Sequence, residues 1–262
     1  MTYDLLAGQV AVVTGGGKGI GRAIALELAA RKACVLVTGR DERALGETVG
    51  EVANAGGQAR HAVGDVRDEA DAKRATARAH ELWGRLDVVV ANAGVTGTTR
   101  MGDPAAPALA RDIVETNLLG TYYLFDAAVA AMSGPGRLIA VSSILGKLGV
   151  AGQGAYCASK AGLHGLVRAV AAEVGPRAIT CNAVCPGWVD TEMARARIGD
   201  IARTEGKTYE VARRDAAAAI PVGRFVEAEE VARFVAFLCS PDAAAITGQA
   251  LSICGGTAVF AG

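Results

Sequence analysis

Aromatic side chains are scarce in this chain, and neither sign of charge prevails. Phe, Trp and Tyr make up 5% of its 262 residues, and 27 Lys and Arg balance 27 Asp and Glu. A zero net charge without a basic run argues against nucleic acid as a partner. No apolar run approaches the ~20 residues of a membrane-spanning helix, so no membrane partner is expected. The opening MTYDLLAGQVAVVTGGG has no basic leader and no small-residue cleavage site, which leads to a cytoplasmic expectation. None of the six cysteines (Cys34, Cys157, Cys181, Cys185, Cys239, Cys254) forms C-x-x-C, so they read as reduced thiols rather than a disulfide framework. His61, His80 and His164 form no H-E-x-x-H or similar cluster, and no metal site is expected.

What the chain does have is aliphatic bulk and glycine: 51% hydrophobic residues and 34 Gly. Strand-length apolar runs alternate with stretches of helical spacing. Residues 9–14 (QVAVVT), 34–38 (CVLVT), 59–63, 87–91 (DVVVA), 137–142 (RLIAVS), 178–184 and 250–253 read as strands. Residues 19–31, 43–55, 68–83, 108–132, 155–174 and 227–239 read as helices. Strands without polar alternation are buried on both faces, as parallel strands are. The alternation predicts an α/β, Rossmann-type doubly wound parallel sheet flanked by helices, a single domain over 1–262. The least regular piece, 191–221, mixes charges, glycines and an alanine run. It reads as an insertion of the kind that forms a substrate lid.

TGGGKGIG, residues 14–21, falls at the turn between the first strand and the first helix. Gly15, Gly19 and Gly21 permit a tight turn and close approach of a pyrophosphate to the backbone, and Ile20 lies between them. The helix N-terminus adds N–H donors and the positive end of its dipole. The loop lacks the G-K-[ST] of a Walker A motif. The second strand ends VTGR. Gly39 stands where an NAD-selective site usually has an acid, and Arg40 follows. With Lys18 inside the loop, two cations are available to a 2′-phosphate, which predicts a preference for NADP(H), with NAD(H) as the lesser cofactor. Asp41 is a competitor for the ribose 2′-hydroxyl if the register is shifted.

Further motifs follow in order: Asn92-Ala93-Gly94 after the fourth strand, Asn117 in the long helix, Ser143 after the fifth strand, Tyr156-x-x-x-Lys160, and Pro186-Gly187 after the sixth. Together they resemble the short-chain dehydrogenases/reductases over essentially the whole chain. One departure is visible: the family's usual N-N-A-G reads Ala91-Asn92-Ala93-Gly94 here. The resemblance implies about seven strands and a homotetramer assembled through helix faces and the C-terminal segment. It also implies cofactor contacts from Asp65 and Val66 in ARHAVGDV, and from Val189 and Thr191 after the sixth strand. Its catalytic set here is Asn117, Ser143, Tyr156 and Lys160.

The chemistry of those residues agrees. Four residues apart on a helix, Tyr156 and Lys160 share a face. A nearby ammonium favours phenolate, so Lys160, with an oxidised nicotinamide, is expected to lower the Tyr156 pKa and make it a general acid near neutrality. Ser143 would hold the substrate oxygen, Lys160 the nicotinamide ribose, and Asn117 a water linking the lysine to solvent. Ser142 is the rival to Ser143. A Ser-His-Asp hydrolase fails for want of a G-x-S-x-G elbow, and His164 reads as a packed helix residue.

The C-terminal third looks particularly like β-ketoacyl reductases and aromatic-polyketide ketoreductases. That implies reduction of a β-ketoacyl or polyketide-like ketone, the substrate a small carbonyl compound or its alcohol, carried on a protein arm or as a CoA thioester. The substrate pocket is expected from 144–154, 95–101 and the 191–215 region, with Trp188 either flanking the nicotinamide or packing beneath the lid. Arg195, Arg197 and Arg203 are either phosphate contacts for a carrier arm or plain surface charges. The alternatives are an NAD-dependent secondary-alcohol dehydrogenase and a non-catalytic dinucleotide-binding subunit.

Overall fold

Strands β1 (Val10–Thr14), β2 (Cys34–Gly39), β3 (Gln58–Val63), β4 (Val88–Ala91), β5 (Gly136–Val141), β6 (Ile179–Pro186) and β7 (Ala250–Ile253) form one parallel sheet. Its order is β3-β2-β1-β4-β5-β6-β7. These come from a computed structural model that describes residues 5–259. The helices are α1 (Gly19–Ala30), α2 (Glu42–Asn54), α3 (Glu69–Trp83), α4 (Ala106–Val114), α5 (Gly120–Ala131), α6 (Gly154–Val174), α7 (Glu192–Glu205), α8 (Tyr209–Ala218) and α9 (Ala228–Cys239).

Each face of the sheet carries its own apolar core. Alternate residues of β1 go to opposite sides: Ala11 and Val13 join Ile24, Leu28 and Val235, whereas Val10 and Val12 join Leu124, Phe125 and Leu163. This is the period of two of a strand, with both faces covered by helices. Fully burying one Leu or Ile side chain contributes about 1.5–3 kcal/mol, so the central strands anchor the fold. β1, β4, β5 and β6 are buried along nearly their whole length, while β3 at one edge is largely exposed. The strand order reverses between β1 and β4, and the carboxyl ends of those strands open a crevice of the kind that binds ligands in such sheets.

Two expectations need correction. The helix expected over 108–132 begins at Ala106 and is interrupted by a π-helical turn, Glu115–Leu119, before α5. The segment read as irregular, 191–221, is two helices. Thr191 caps α7 through its side chain, Gly206 ends it at φ +64°, and Thr208 caps α8. The Gly and Thr that looked like loop composition are helix punctuation.

Candidate active site

The turn after β1 supplies the first wall of the site. Gly15 has φ +64° and Gly19 φ +52°, conformations that favour glycine. A Cβ on Gly15 would lie 3.0 Å from the Ala93 Cα, and one on Gly21 would collide with the Asn92 side chain and the Gly15 carbonyl. Thr14 and Asn92 lock the ends of β1 and β4 together: the Asn92 and Ala93 amides donate to Thr14 Oγ1 at 3.0 and 3.1 Å, and Asn92 Nδ2 donates to the Thr14 carbonyl at 2.9 Å. The missing first Asn of the family pattern, Ala91, is a buried strand residue, so the lock does not involve it. The backbone is therefore held open beside the N-terminus of α1, a cradle that suits a pyrophosphate.

A cavity of about 440 Å³ adjoins this cradle and brings together Lys18, Gly19, Gly94, Tyr156, Lys160 and Thr191. A second, of about 300 Å³, continues it beyond β2 and holds Lys18, Arg40, Asp41, Asp65 and Val66. The cations there already have partners. Lys18 Nζ lies 3.5 Å from Asp41, and Arg40 lies 3.9 Å from Asp65. Asp41 also accepts from the Ala44 amide and so caps α2, which holds its carboxyl below the ordinary range. Asp65 is bound chiefly by Arg67, whose guanidinium lowers its pKa. The two cavities form one continuous trough along the strand ends, and the residues lining it fit a dinucleotide.

Behind Gly94 sits Asn117, fully buried in the π-helical turn. Its Oδ1 accepts from the Val95 amide at 2.8 Å, and its Nδ2 donates to the Val95 carbonyl at 3.0 Å and to Ser159 Oγ at 3.1 Å. These bonds commit the Asn117 side chain to positioning the Gly94–Val95 turn and α6. A Cβ on Gly94 would lie 3.1 Å from Asn117 Oδ1 and 3.5 Å from Lys160 Nζ, so this turn needs glycine to approach both groups.

Lys160 is buried, with Nζ donating to the Val141 carbonyl at 2.8 Å. Burial pulls its pKa down to about 8. Nζ lies 5.8 Å from the Tyr156 ring centre. Tyr156 reverses the expected sign: desolvation raises its pKa in the polypeptide alone, and a hydrogen bond with Ser143 only partly offsets this.

Ser142 and Ser143 both line the substrate-side cavity, but their hydroxyls have different partners. Ser142 Oγ is buried, donating to the Lys160 carbonyl at 3.0 Å, and lies 3.0 Å from His164 Nε2. His164 Nε2 is also 3.3 Å from Cys185 Sγ, and burial, then Lys147, keep the imidazole below its usual pKa. This packed Ser142–His164–Cys185 cluster fixes the strand end from behind, a role that sequence spacing did not reveal. Ser143 Oγ accepts from the Leu145 amide at 3.1 Å and lines a third cavity with Tyr156.

That cavity, about 330 Å³, is mostly apolar: Ile144, Leu145, Leu148, Val150 and Met193 contribute, all within the stretches expected to line it. Thr96, from the 95–101 stretch, lines it too, and Pro186, Gly187 and Val189 bring the end of β6 to it. The Trp188 alternatives resolve toward packing, since its ring stacks on Phe225 at 5.7 Å while its edge meets the cavity. Thr191 spends its hydroxyl on capping α7 and on the Val189 carbonyl at 3.3 Å. Of the three arginines on α7, Arg195 pairs with Asp190 and Arg203 with Asp200, while Arg197 reaches Thr98 Oγ1 at 3.3 Å. All six cysteines are free thiols. Among the described residues no helix is long and apolar enough to cross a membrane.

Comparison with known proteins agrees with this geometry. A family model described as enoyl-(acyl carrier protein) reductase, of the adh_short_C2 group, matches residues 15–258. The chain belongs to the short-chain dehydrogenases/reductases. It is therefore an oxidoreductase acting on the CH–OH/carbonyl pair. This reductase is 38% identical over 254 residues to the 3-oxoacyl-acyl-carrier-protein reductase FabG of Escherichia coli K12, spanning 95% of this chain and 97% of the relative. A solved single-residue variant of actinorhodin polyketide ketoreductase with NADPH superposes with a TM-score of 0.93 at 38% identity, covering 96% of this chain and 98% of that one. Levodione reductase superposes with a TM-score of 0.92 at 29% identity, over 97% and 99% of the two chains.

Proposed function

We propose that this short-chain dehydrogenase/reductase uses NADP(H) to reduce the ketone of a β-ketoacyl or polyketide-like chain to a secondary alcohol. One observation carries the reading: Ser143 and Tyr156 line an apolar cavity, and Tyr156 also lines the dinucleotide trough together with Lys160. The names of two relatives, a 3-oxoacyl reductase and a polyketide ketoreductase with NADPH, support the same substrate class and cofactor.

The bound nicotinamide supplies the hydride. Ser143 orients the ketone oxygen, and Tyr156 donates the proton that this oxygen needs as it becomes an alkoxide. The raised pKa of the half-buried phenol keeps that proton in place until charge develops on the substrate. Lys160 binds the ribose hydroxyls and restores the proton to Tyr156, and Asn117 holds the adjoining turn so that this path stays aligned. Lys18 and Arg40 receive the 2′-phosphate. Asp41 is occupied as the cap of α2, which supports NADP(H) over NAD(H). The segment 191–221, built of α7 and α8, acts as the substrate lid, and Val189 and Thr191 bound the nicotinamide end. The chain works as a cytoplasmic homotetramer on carrier-bound or CoA thioester substrates.

The test is NADPH oxidation, followed by absorbance, across β-keto thioesters, simple ketones and secondary alcohols. Turnover of the β-keto compounds with NADPH favoured over NADH is expected. Replacing Tyr156 by Phe should lower kcat at least about a thousandfold while NADPH still binds. Undiminished turnover in that variant overturns the role of Tyr156, and a clear NADH preference overturns the reading of Lys18 and Arg40.

A further inference from the structure

Just before Ser143, side-chain bonds tie the end of β5 to one turn of α6. Lys160 Nζ donates to the Val141 carbonyl at 2.8 Å, and Ser142 Oγ donates to the Lys160 carbonyl at 3.0 Å. A further bond joins Ser142 Oγ and His164 Nε2, 3.0 Å apart and buried. Its direction follows from counting protons. The Ser142 hydroxyl has a single proton, and the Lys160 carbonyl can only accept it. The proton between Ser142 and His164 therefore sits on Nε2, and the ring is the Nε2–H tautomer. Burial, then Lys147, Arg168 and Lys160, keep the imidazole neutral by holding its pKa below the ordinary value. Cys185 Sγ on β6, 3.3 Å from the same nitrogen, is a weaker second acceptor.

The backbone beside the imidazole is shaped to it. A Cβ on Gly146 would lie 2.8 Å from His164 Cε1, 2.9 Å from Nε2 and 2.8 Å from the Lys160 carbonyl oxygen. Gly146 has no positive φ, so the close approach of ring and carbonyl is what glycine serves here. The same turn, Ile144–Gly146, carries the Leu145 amide that donates to Ser143 Oγ at 3.1 Å. His164 thus meets the chain on both sides of Ser143, at Ser142 before it and at Gly146 after it.

We infer that His164 is a positioning residue for the reaction: its Nε2–H, given to Ser142, sets Ser143 at its working distance from Tyr156 and Lys160 on α6. The inference rests on the reading that Ser143 and Tyr156 meet the substrate oxygen, and it adds a group that never touches substrate. An apolar side chain of similar bulk would fill the space but leave the buried Ser142 oxygen without its donor. A small misplacement of Ser143 then slows the chemical step and spares cofactor binding, because the error is felt where the reacting groups must align.

The experiment measures kcat, KM and the Kd of NADPH in the wild type, His164→Gln, His164→Leu, Ser142→Ala and the double variant His164→Leu/Ser142→Ala. The substrate is whichever of ethyl 3-oxobutanoate, 2-hexanone and 2-hexanol the wild type turns over. Gln supplies an amide N–H in place of Nε2–H; Leu keeps apolar bulk alone. His164→Leu should lose roughly tenfold in kcat with KM and Kd within about twofold, and His164→Gln should keep kcat within about threefold. The double variant should lose no more than Ser142→Ala alone, because both act through one bond. A Gln variant no better than Leu, losses that multiply in the double variant, or full kcat in His164→Leu overturns the assignment. A second readout needs no variant to fold: proton–nitrogen NMR of the wild type labelled in its three histidines. At neutral pH His164 should show a protonated Nε2 and a bare Nδ1; a bare Nε2 overturns the assignment. Oxidation of the alcohol with no reduction of either ketone overturns the reductase reading and leaves His164 judged by the same ratios.

Discussion

Lys160 and Tyr156 are each held away from their ordinary protonation behaviour by burial, and in opposite directions. Lys160 falls from 10.5 to about 8, which makes its protonated form costly in the folded chain. The unfolded chain holds that proton up to a higher pH, so the cost is fully present below about pH 8. It fades as pH rises from there towards 10.5. At neutral pH it amounts to about 3 kcal/mol, an instability retained for function. Replacing Lys160 by Met should therefore cripple turnover while leaving the melting temperature no lower than that of the wild type at pH 7. The difference should shrink as pH approaches 10, and a variant that melts far lower at pH 7 would refute a buried ammonium. In the proposed mechanism Lys160 holds the ribose hydroxyls and returns a proton to Tyr156 in its charged form. Hence kcat/KM for NADPH should decline above about pH 8, read from initial rates between pH 6 and 10; a flat profile through pH 9 would contradict the depressed lysine.

In the proposed reading, the end of β2 is the element that decides the dinucleotide. A Cβ on Gly39 would meet nothing nearer than Leu45 Cδ2, at 3.6 Å, so a side chain fits there. Gly39→Asp should place a carboxylate where the 2′-phosphate is expected and weaken NADPH use at least tenfold, with NADH gaining in relative kcat/KM. Unchanged selectivity in steady-state rates would mean that the phosphate sits elsewhere. Asp41, two residues further along the chain, behaves as a helix cap. Asp41→Ala should cost about 1 kcal/mol of stability, measured by urea unfolding, without improving NADPH over NADH by loss of a ribose ligand. The sequence located this element well, since Gly39 closes β2 and Lys18 immediately precedes α1. It read α4 to α5 less well. The π-helical turn that carries Asn117 depends on contacts to Val95 and Ser159, 22 and 42 residues away, and no local pattern encodes them. Likewise, the helices within 191–221 were hidden because alternating charges mask a weakly apolar face, although Thr191, Gly206 and Thr208 were there as stops and starts.

Over the whole molecule, the seven strands and their parallel arrangement were legible because the central strands are mostly apolar runs between glycine-rich or helical stretches. What could not be read is where charge and desolvation settle once distant elements meet. Spacing alone suggested that Lys160 lowers the Tyr156 pKa, yet only the packing of β5, α6 and the Ser143 turn shows both groups governed by burial. Assembly is the remaining property at this scale. Tyr122 on α5 is 51% exposed and Phe237 on α9 is 38% exposed, with Leu119 beside the first of them. Large apolar side chains left on helix faces suit contacts between copies related by symmetry. The family resemblance places those contacts on helix faces and points to a tetramer. Light scattering on the purified protein should accordingly return about four times the 26.6 kDa chain mass. Tyr122→Glu, which sets a charge on an exposed helix position and leaves the apolar core untouched, should reduce that mass while the far-ultraviolet circular dichroism stays the same. A wild-type mass of one chain would show that these faces meet water in solution and would remove the tetramer from the account.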